Sequence, residues 1–255
     1  MTAPVFSTPA QSHAHSLRTL QSLYEYDDFM LSISTMADMG YGSGLDLEWW
    51  ATRTTRDDSP QPLNIRCVGY DLRPDHRVIK SHPNITYQHQ DFESEISLPR
   101  DQKFDLVWCH SAWQYVIDPF GTLRHWWQAM NPDAMLIISV PQTTNLEFNK
   151  QAFDQRDGVY YNWTVVSLIH VMATSGFDCR GGFFYKDPAD PWLHAAVYRS
   201  ATALLDPRTT RWYDLDALGL LPDSASSSVN RHGYLRQRDL VLPWFDKMFY
   251  SWAEQ

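Results

Sequence analysis

The sequence feature that most constrains the fold is a segment in which three glycines alternate with single residues after a short apolar run, Met36-Ala37-Asp38-Met39-Gly40-Tyr41-Gly42-Ser43-Gly44-Leu45-Asp46. The apolar and β-branched run from Leu31 to Ala37 predicts a buried strand that Asp38 closes, and Leu45 to Thr54 predicts a helix. Such a unit can hold a nucleotide-like ligand, because glycines let the backbone approach closely and a helix start presents unpaired N–H groups. A tight turn without a ligand is the structural alternative.

The glycine spacing argues against two common nucleotide motifs. A dinucleotide fingerprint, Gly-x-Gly-x-x-Gly, would need glycine where Leu45 stands, and no Gly-Lys-Ser/Thr follows, which excludes a Walker loop. The pattern is instead Asp-x-Gly-x-Gly-x-Gly, with a carboxylate at the strand end. A carboxylate suits a cationic or hydroxyl-bearing ligand better than a phosphate.

A second carboxylate, Asp71, ends the next predicted strand, Arg66 to Tyr70. One carboxylate at this place can accept hydrogen bonds from both hydroxyls of a ribose. The alternative role is to cap the turn Asp71-Leu72-Arg73-Pro74.

Further strands alternate with helical patterns along the chain. The predicted strands are Ile85 to Gln90, Phe104 to Cys109, Met135 to Pro141, one that starts at Gly176–Cys179, and His194 to Arg199. Asp91-Phe92 follows the first of these strands and His110 follows the second. Predicted turns lie at Asn131–Ala134, before the strand from Met135, and at Gly181–Pro188, where the strand from Gly176 is expected to end. The predicted helices are Ser16 to Phe29, Phe120 to Met130 and Tyr160 to Ser175. This order implies a parallel sheet with helices on both faces, and ligands on such sheets bind at the carboxyl ends of the strands.

The combination resembles the class I S-adenosylmethionine-dependent methyltransferases that act on small molecules. The glycine turn is similar to their motif I, and Phe104-Asp105 followed by the run from His110 to Asp118-Pro119 is similar to their fourth strand and the turn after it. The resemblance covers residues 30–200. It implies an α/β fold with a Rossmann-like seven-stranded sheet, mostly parallel, that ends in an antiparallel hairpin.

The resemblance also implies the cofactor, S-adenosyl-L-methionine, and the residues that hold it. In this family an acidic residue after the third strand meets the adenine amino group and its apolar neighbour packs on the ring, which are the roles of Asp91 and Phe92 here. The implied cofactor residues are Asp38, Gly40, Tyr41, Gly42, Gly44, Asp71, Leu72, Asp91, Phe92 and Cys109.

Methyl transfer from a sulfonium needs alignment and exclusion of water more than it needs a catalytic side chain. If a general base takes part, His110 is the candidate, because it follows the fourth strand beside the expected methyl group. Packing or a backbone contact is its structural alternative. Trp113, Tyr115 and Trp163 are candidates for an aromatic acceptor pocket, with core packing as the alternative.

The acceptor is predicted to be an oxygen or nitrogen atom of a small molecule, by elimination and by the family resemblance. The fourth strand is followed by no Asn/Asp-Pro-Pro-Tyr/Phe, and no Pro-Cys nucleophile is present. A net charge of −9 disfavours a nucleic-acid surface. The rival hypothesis is a methyltransferase fold without turnover that serves as a binding or structural component. A nicotinamide oxidoreductase is disfavoured by the glycine spacing.

Cysteine usage and hydropathy bear on the cell compartment. Cys67, Cys109 and Cys179 are far apart, so buried free thiols are expected, with neither a metal site nor a redox pair. No signal-peptide pattern or membrane-length apolar run is found, so we expect a cytoplasmic protein without a membrane partner.

The expected organisation is an N-terminal segment and helix at 1–29, a methyltransferase domain at 30–200 and an extension at 201–255. The apolar pattern from Leu235 to Trp252 is expected to pack on its own domain or on a partner chain, either a protein or a second copy. The run from Trp108 to Thr144 also has a looser likeness to methyltransferase-like proteins of cyanobacterial bacteriophages, which would place the protein in the host cytoplasm.

Overall fold

The described residues form a seven-stranded sheet. The structure, a computed structural model, describes residues 14, 16–21, 32–55, 59–72, 81–96, 102–141, 161, 163–186, 192–202, 204–227 and 229. The strands are β1 (Thr35–Met39), β2 (Arg66–Asp71), β3 (Ile85–His89), β4 (Phe104–His110), β5 (Met130–Pro141), β6 (Phe177–Lys186) and β7 (Trp192–Arg199). Their order in the sheet is β3-β2-β1-β4-β5-β7-β6. Neighbours from β3 to β5 pair in parallel, whereas β7 pairs antiparallel with both β5 and β6, so the predicted fold class is confirmed.

Helices cover both faces of this sheet. They are α1 (Leu45–Ala51), α2 (Pro119–Ala129), α3 (Val165–Thr174), α4 (Trp212–Ala217) and α5 (Asp223–Ser227), with a short 3-10 helix at Trp113–Tyr115 and helical residues at 16–21. Successive side chains of a strand point to opposite faces. Met36, Trp108 and Ile137 therefore pack with α1 on one face, and Ala37, Val107 and Leu136 pack with α2 and α3 on the other.

The start of β1 differs from its prediction. The strand begins at Thr35 rather than Leu31, and Asp38 lies inside it rather than after it. The reason is a carboxylate on β4. Asp105 Oδ2 accepts the N–H groups of Ser34 and Thr35 at 3.0 and 2.9 Å, so these groups at the start of the ladder pair with a side chain.

The predicted turn at residues 131–134 is wrong, whereas the strand end and turn predicted at 181–188 can be compared only as far as residue 186, since 187 and 188 lie outside the described residues. Residues 131–134 belong to β5, where Asp133 takes a positive φ of 59° and the pairing with β4 is irregular between Phe104 and Leu106. Residues 181–186 continue β6 after a register shift between Asp178 and Phe183. Polar and glycine residues indicated turns here, but the strands absorb them as irregularities.

Two helices are shorter than their predictions. Helix α1 ends at Ala51, and Thr54 instead forms an isolated bridge with Pro62. Helix α3 begins at Val165 rather than Tyr160, because Thr164 caps it through a reciprocal pair with Ser167. These hydrogen bonds fix the helix start.

Residues beyond β7 pack on the α2 and α3 face of the sheet. Leu215 of α4, Leu220, Leu221 and Ala225 of α5 are buried in the same cluster as α3. Residues 22–29 of the predicted helix from Ser16 to Phe29 lie outside the described residues, as does the whole segment from Leu235 to Trp252. The domain boundaries stay predictions.

Cysteine pairing and membrane spans can be checked against the structure. All three cysteines are free and buried, as predicted. Among the described residues, no helix is long and apolar enough to cross a membrane.

Candidate functional site

The glycine turn joins the carboxyl end of β1 to α1 in a conformation that requires glycine. Gly40, Gly42 and Gly44 have φ values of 86°, 51° and 75°, a region that L side chains disfavour. The Gly40 N–H donates to the Tyr70 carbonyl at 2.8 Å, and the Gly44 N–H donates to the Tyr41 carbonyl at 2.7 Å. The turn is therefore fixed by its own backbone and by β2.

The three glycines have different neighbours. A Cβ on Gly40 would collide with Ala112 and would lie 3.5 Å from the Phe92 ring, and one on Gly44 would lie 2.9 Å from the Tyr87 ring. A Cβ on Gly42 would meet no atom within 4 Å. Packing explains the absence of a side chain at Gly40 and Gly44, whereas Gly42 faces open space from which a ligand can reach the backbone.

Asp71 links β2 to this turn. Its Oδ2 accepts the Gly42 N–H at 2.8 Å. The carboxylate is partly exposed at the carboxyl end of the strand, beside the one glycine that faces open space. Leu72 follows with 52% of its surface exposed, and its carbonyl contacts His89 Nε2 at 2.8 Å. Both predicted residues therefore lie at the same edge as the glycine turn.

Asp38 lies beneath the turn rather than on its surface. The side chain is 3% exposed. Its pKa is raised well above the usual range by burial first, and then by the nearby carboxylates of Asp46 and Asp71. Asp46, in the first turn of α1, accepts hydrogen bonds from Ser16 Oγ at 2.6 Å and from Trp108 Nε1 at 3.1 Å. Three carboxylates thus surround the start of α1.

Tyr41 turns away from the open side of the glycine turn. Its ring packs on the backbone of Gly69 and lies 5.2 Å from the Tyr87 ring, and the residue is 6% exposed. Burial, followed by the charge of Asp71, raises the pKa of Tyr41 to about 12. The tyrosine supports the turn from below, and its backbone remains the part that a ligand can approach.

The turn after β3 is held against α2. Asp91 Oδ1 accepts the Glu93 N–H at 2.9 Å, and Glu93 Oε2 in turn accepts the N–H groups of Ile117 and Asp118 at 2.8 and 3.1 Å. The Phe92 carbonyl accepts Trp126 Nε1 at 2.8 Å. These bonds hold Asp91 and Phe92 at the carboxyl edge, with the Phe92 ring against Gly40.

The end of β4 contains a backbone feature that the sequence does not reveal. Ser111 has a positive φ of 60° without being glycine. Residues in this region cluster at functional sites. Ala112 comes next and packs on Gly40, which brings the end of β4 against the glycine turn.

Two other side chains near the end of β4 are fully enclosed. Cys109 is 0% exposed, and burial raises the pKa of its thiol well above the usual range. Its side chain belongs to the core, so only its backbone is available to a ligand. Gln114 donates from Nε2 to the Ser111 carbonyl at 2.9 Å, while its buried Oε1 has no hydrogen-bond partner among the described residues.

His110 is enclosed by two indole rings. Its ring stacks on Trp108 at 5.8 Å and 8°, and on Trp192 of β7 at 5.2 Å and 13°. The residue is 6% exposed. The nitrogen atoms of an imidazole lie at the ring edge, so any proton transfer by His110 has to occur there, beside the stacked indoles. Beside it on the sheet, Ser139 Oγ lies 2.8 Å from His194 Nδ1.

The aromatic residues predicted for an acceptor pocket differ in exposure. Trp113 is 0% exposed and packs against Trp126 and Trp163, at 5.3 and 5.8 Å between ring centroids. Tyr115 is 36% exposed. Trp163 lines a cleft between helices.

The structure thus gathers most of the predicted cofactor residues at one edge. Gly40 and Phe92 are in contact range, Gly42 binds Asp71, and Tyr41 and Asp38 support the turn from below. Sequence reasoning missed Asp46, Ser111 and Ala112. An acidic residue in the first turn of a helix gave a signal for Asp46, but only packing reveals the other two. Among the described residues, no group of histidine, cysteine and carboxylate side chains could hold a metal ion.

Comparison with known proteins gives a family match. The family model of a methyltransferase domain matches residues 33–180. A search of curated proteins finds no match.

Several solved structures have a similar fold. A chain from the complex between the Haloferax volcanii Trm112 methyltransferase activator and the putative methyltransferase is 15% identical, with a TM-score of 0.55, over 75% of this chain and 95% of that chain. A putative S-adenosylmethionine dependent methyltransferase from Listeria monocytogenes is 16% identical, with a TM-score of 0.53, over 75% of this chain and 99% of that chain. Human N-acetylserotonin methyltransferase in complex with SAM is 14% identical, with a TM-score of 0.56, over 75% of this chain and 54% of that chain.

Proposed function

The chain belongs to the methyltransferase domain family, and on this premise we propose that it transfers a methyl group from S-adenosyl-L-methionine to an oxygen or nitrogen atom of a small molecule. The cofactor follows from the family. The observation that carries the proposal for this chain is the pairing of Gly42, which faces open space, with the strand-end carboxylate of Asp71.

The residues at this edge fit the cofactor. Gly42 leaves room for close approach to the backbone, because a side chain there would occupy only open space. Asp71 is partly exposed beside it and carries the acceptor oxygens that a ribose diol requires. Asp91 offers an acceptor for an adenine amino group, and Phe92 offers an apolar face. We assign the remaining contacts to the backbone of Gly40, Tyr41, Gly44, Leu72 and Cys109.

S-adenosyl-L-methionine supplies a methyl group that its sulfonium already activates. The chain then has to align the acceptor and exclude water, which gives most of the rate enhancement for such a displacement. We assign this task to the end of β4, where Ser111 has a positive φ and the next residue, Ala112, lies against Gly40 of the glycine turn. Trp113, Tyr115 and Trp163 would shape the acceptor side through packing.

His110 is retained as the candidate general base for an acceptor that is protonated at working pH. Its stacked position limits it to contacts at the ring edge. For an acceptor that carries no proton to remove, we expect His110 to act only by packing.

The first experiment is a calorimetric titration of the purified protein with S-adenosylmethionine and, separately, with S-adenosylhomocysteine. Dissociation constants in the micromolar range would support the cofactor site. No binding by a folded sample would overturn the proposal.

Turnover needs its own measurement, because a methyltransferase fold that binds without reacting is the rival function. The protein is incubated with S-adenosylmethionine that carries a labelled methyl group and with a fraction of small metabolites. Label that moves into the small-molecule fraction supports the proposed reaction. Cofactor binding with no transfer to any fraction favours the binding or structural role.

The compartment and the partners are proposed separately. We propose a cytoplasmic protein, and a contact of the extension at 201–255 with its own domain or with a partner chain. Light scattering on the purified protein gives the molar mass directly, and a mass above that of one chain would favour association between copies.

A further inference from the structure

A cleft of about 440 Å³ opens between helices α2, α3 and α4. Its walls include the side chains of Phe120, Tyr161, Trp163, His170 and Trp212. Trp163 is buried and forms the floor, whereas Tyr161 is 40% exposed and lies at the mouth.

This cleft is separate from the glycine turn. The turn leads into α1, which packs on one face of the sheet, while α2 and α3 pack on the other. Trp212 lies beyond residue 180, where the family match ends. Trp212 therefore adds to the cleft a side chain from outside the matched residues, whereas the other lining residues lie within them.

The rings around the cleft pack against one another in tilted pairs. Tyr161 and Trp163 are tilted by 42° at 5.5 Å, His170 and Trp212 by 57° at 5.0 Å, and Phe120 and His170 by 89° at 6.4 Å. Because the rings of these pairs are not parallel, the pairs form no slot for a flat ligand.

Half of the described lining residues are aromatic, and the others are apolar or hydroxyl-bearing. Thr164 and Ser167 hydrogen-bond to each other in the cap of α3, and the Tyr161 hydroxyl donates to the Ile117 carbonyl at 2.9 Å. Burial lowers the pKa of His170, so its ring is neutral at neutral pH. The described lining therefore presents no charged side chain to a ligand.

We propose that this cleft binds a trimethylammonium or similarly methylated ammonium group. Aromatic faces attract such a cation through their quadrupoles, and the group is rounded, bulky and free of strong hydrogen-bond donors. The chain's net charge of −9 adds a favourable long-range field for a cation. Trp163 is shared with the proposed acceptor side, but the binding proposed here goes beyond methyl transfer, because it is measured without cofactor and without turnover.

The test compares choline with its uncharged isostere, 3,3-dimethylbutan-1-ol, by calorimetry or by tryptophan fluorescence. The two probes have nearly the same shape and differ in charge. We expect choline to bind about tenfold more tightly, since a desolvated cation–π contact has a free energy of that order. Equal affinities would mean an ordinary apolar cleft and would overturn the proposal, as would the absence of choline binding at millimolar concentrations.

A pair of neighbouring variants locates the site. Trp212→Leu removes a wall of the cleft, whereas Tyr213→Leu changes the next residue of α4, which is 62% exposed and lies outside the lining. Choline binding should be lost in the first variant and kept in the second. The circular dichroism spectrum and the affinity for S-adenosylhomocysteine check that each variant is folded. Equal effects of the two changes on choline binding would overturn the assignment.

Discussion

The carboxylate of Asp71 has two tasks that a pair of substitutions can separate. It accepts the Gly42 N–H, which shapes the turn, and it is proposed to accept the ribose hydroxyls. Asp71→Ala removes both contacts, and Asp71→Asn keeps one oxygen for Gly42 but loses the charge. We expect Asp71→Ala to weaken S-adenosylhomocysteine binding by a factor of about 10 to 100, the range for hydrogen bonds to charged groups.

The intermediate variant distinguishes the two tasks. If the ribose contact dominates, Asp71→Asn also binds weakly while the unfolding temperature of the ligand-free protein stays near that of the wild type. Wild-type affinity in both variants would mean that Asp71 only shapes the glycine turn through its hydrogen bond to Gly42.

Gly42 and Gly44 should respond differently to alanine. Both have a positive φ, so each substitution carries a backbone strain of about 1 kcal/mol. Gly42→Ala adds a methyl group in open space and should mainly weaken S-adenosylhomocysteine binding. Gly44→Ala places a methyl group against Tyr87 and should mainly lower the free energy of unfolding.

Calorimetry and denaturant unfolding of the two variants test this contrast. The double variant Gly44→Ala with Tyr87→Leu should recover part of the lost stability, because the smaller side chain gives way. An unchanged affinity in Gly42→Ala would contradict the assignment of this glycine to ligand approach.

At the level of whole elements, Asp105 fixes how three strands begin. Its carboxylate accepts four hydrogen bonds, from the N–H groups of Ser34 and Thr35, from the Thr35 hydroxyl, and from Asn131 Nδ2 of β5 at 2.7 Å. The Phe-Asp pair that resembles the family pattern at the start of β4 is therefore a structural device at the amino edge, opposite the cofactor residues.

Asp105→Ala should lower the free energy of unfolding by about 2 to 4 kcal/mol, since it leaves partly buried donors without their charged acceptor. Asn131→Ala removes only one of these bonds and should cost less. Denaturant unfolding of both variants measures the difference. Equal losses would show that the β1 contacts contribute little.

Some elements could be predicted from local sequence and others could not, for physical reasons. The end of β2 at Asp71 was correct, because the strand's apolar pattern stops there. The start of β1 was wrong, because the partner of the Ser34 and Thr35 N–H groups lies about 70 residues away in the chain. The turn at residues 131–134 was wrong because β5 continues through a bulge, and local composition does not distinguish a bulge from a turn.

For the molecule as a whole, the topology could be predicted but much of the packing around it could not. Parallel strands bring their carboxyl ends to one edge, so Asp71, Asp91 and the glycine turn were placed together correctly. The stacking of His110 between Trp108 and Trp192 depends on where β7 lies in the sheet. The contribution of Trp212 to a cleft likewise depends on how the chain after β7 folds back.

This architecture places a carboxylate, Asp38, in the interior beneath the glycine turn, which should cost stability. Burial and the neighbouring carboxylates of Asp46 and Asp71 raise its pKa in the folded protein above its value in the unfolded chain. Below the unfolded value both states are protonated and there is no penalty. As the pH rises toward the folded value, the unfolded chain releases its proton first, so the folded state loses relative stability.

Asp38→Asn removes this titration. The difference in unfolding free energy between the variant and the wild type should therefore grow as the pH rises from about 4, by about 1.4 kcal/mol for each unit of pKa difference, and level off above the folded pKa. Denaturant unfolding at a series of pH values measures it, and a constant difference would contradict the prediction. Because a fixed change in hydrogen bonding shifts the whole curve equally, the slope alone reports the buried charge. We expect the stabilised variant to bind S-adenosylmethionine more weakly, since the charge lies under the turn that receives a cationic ligand, and such losses of function commonly accompany stabilisation at a site.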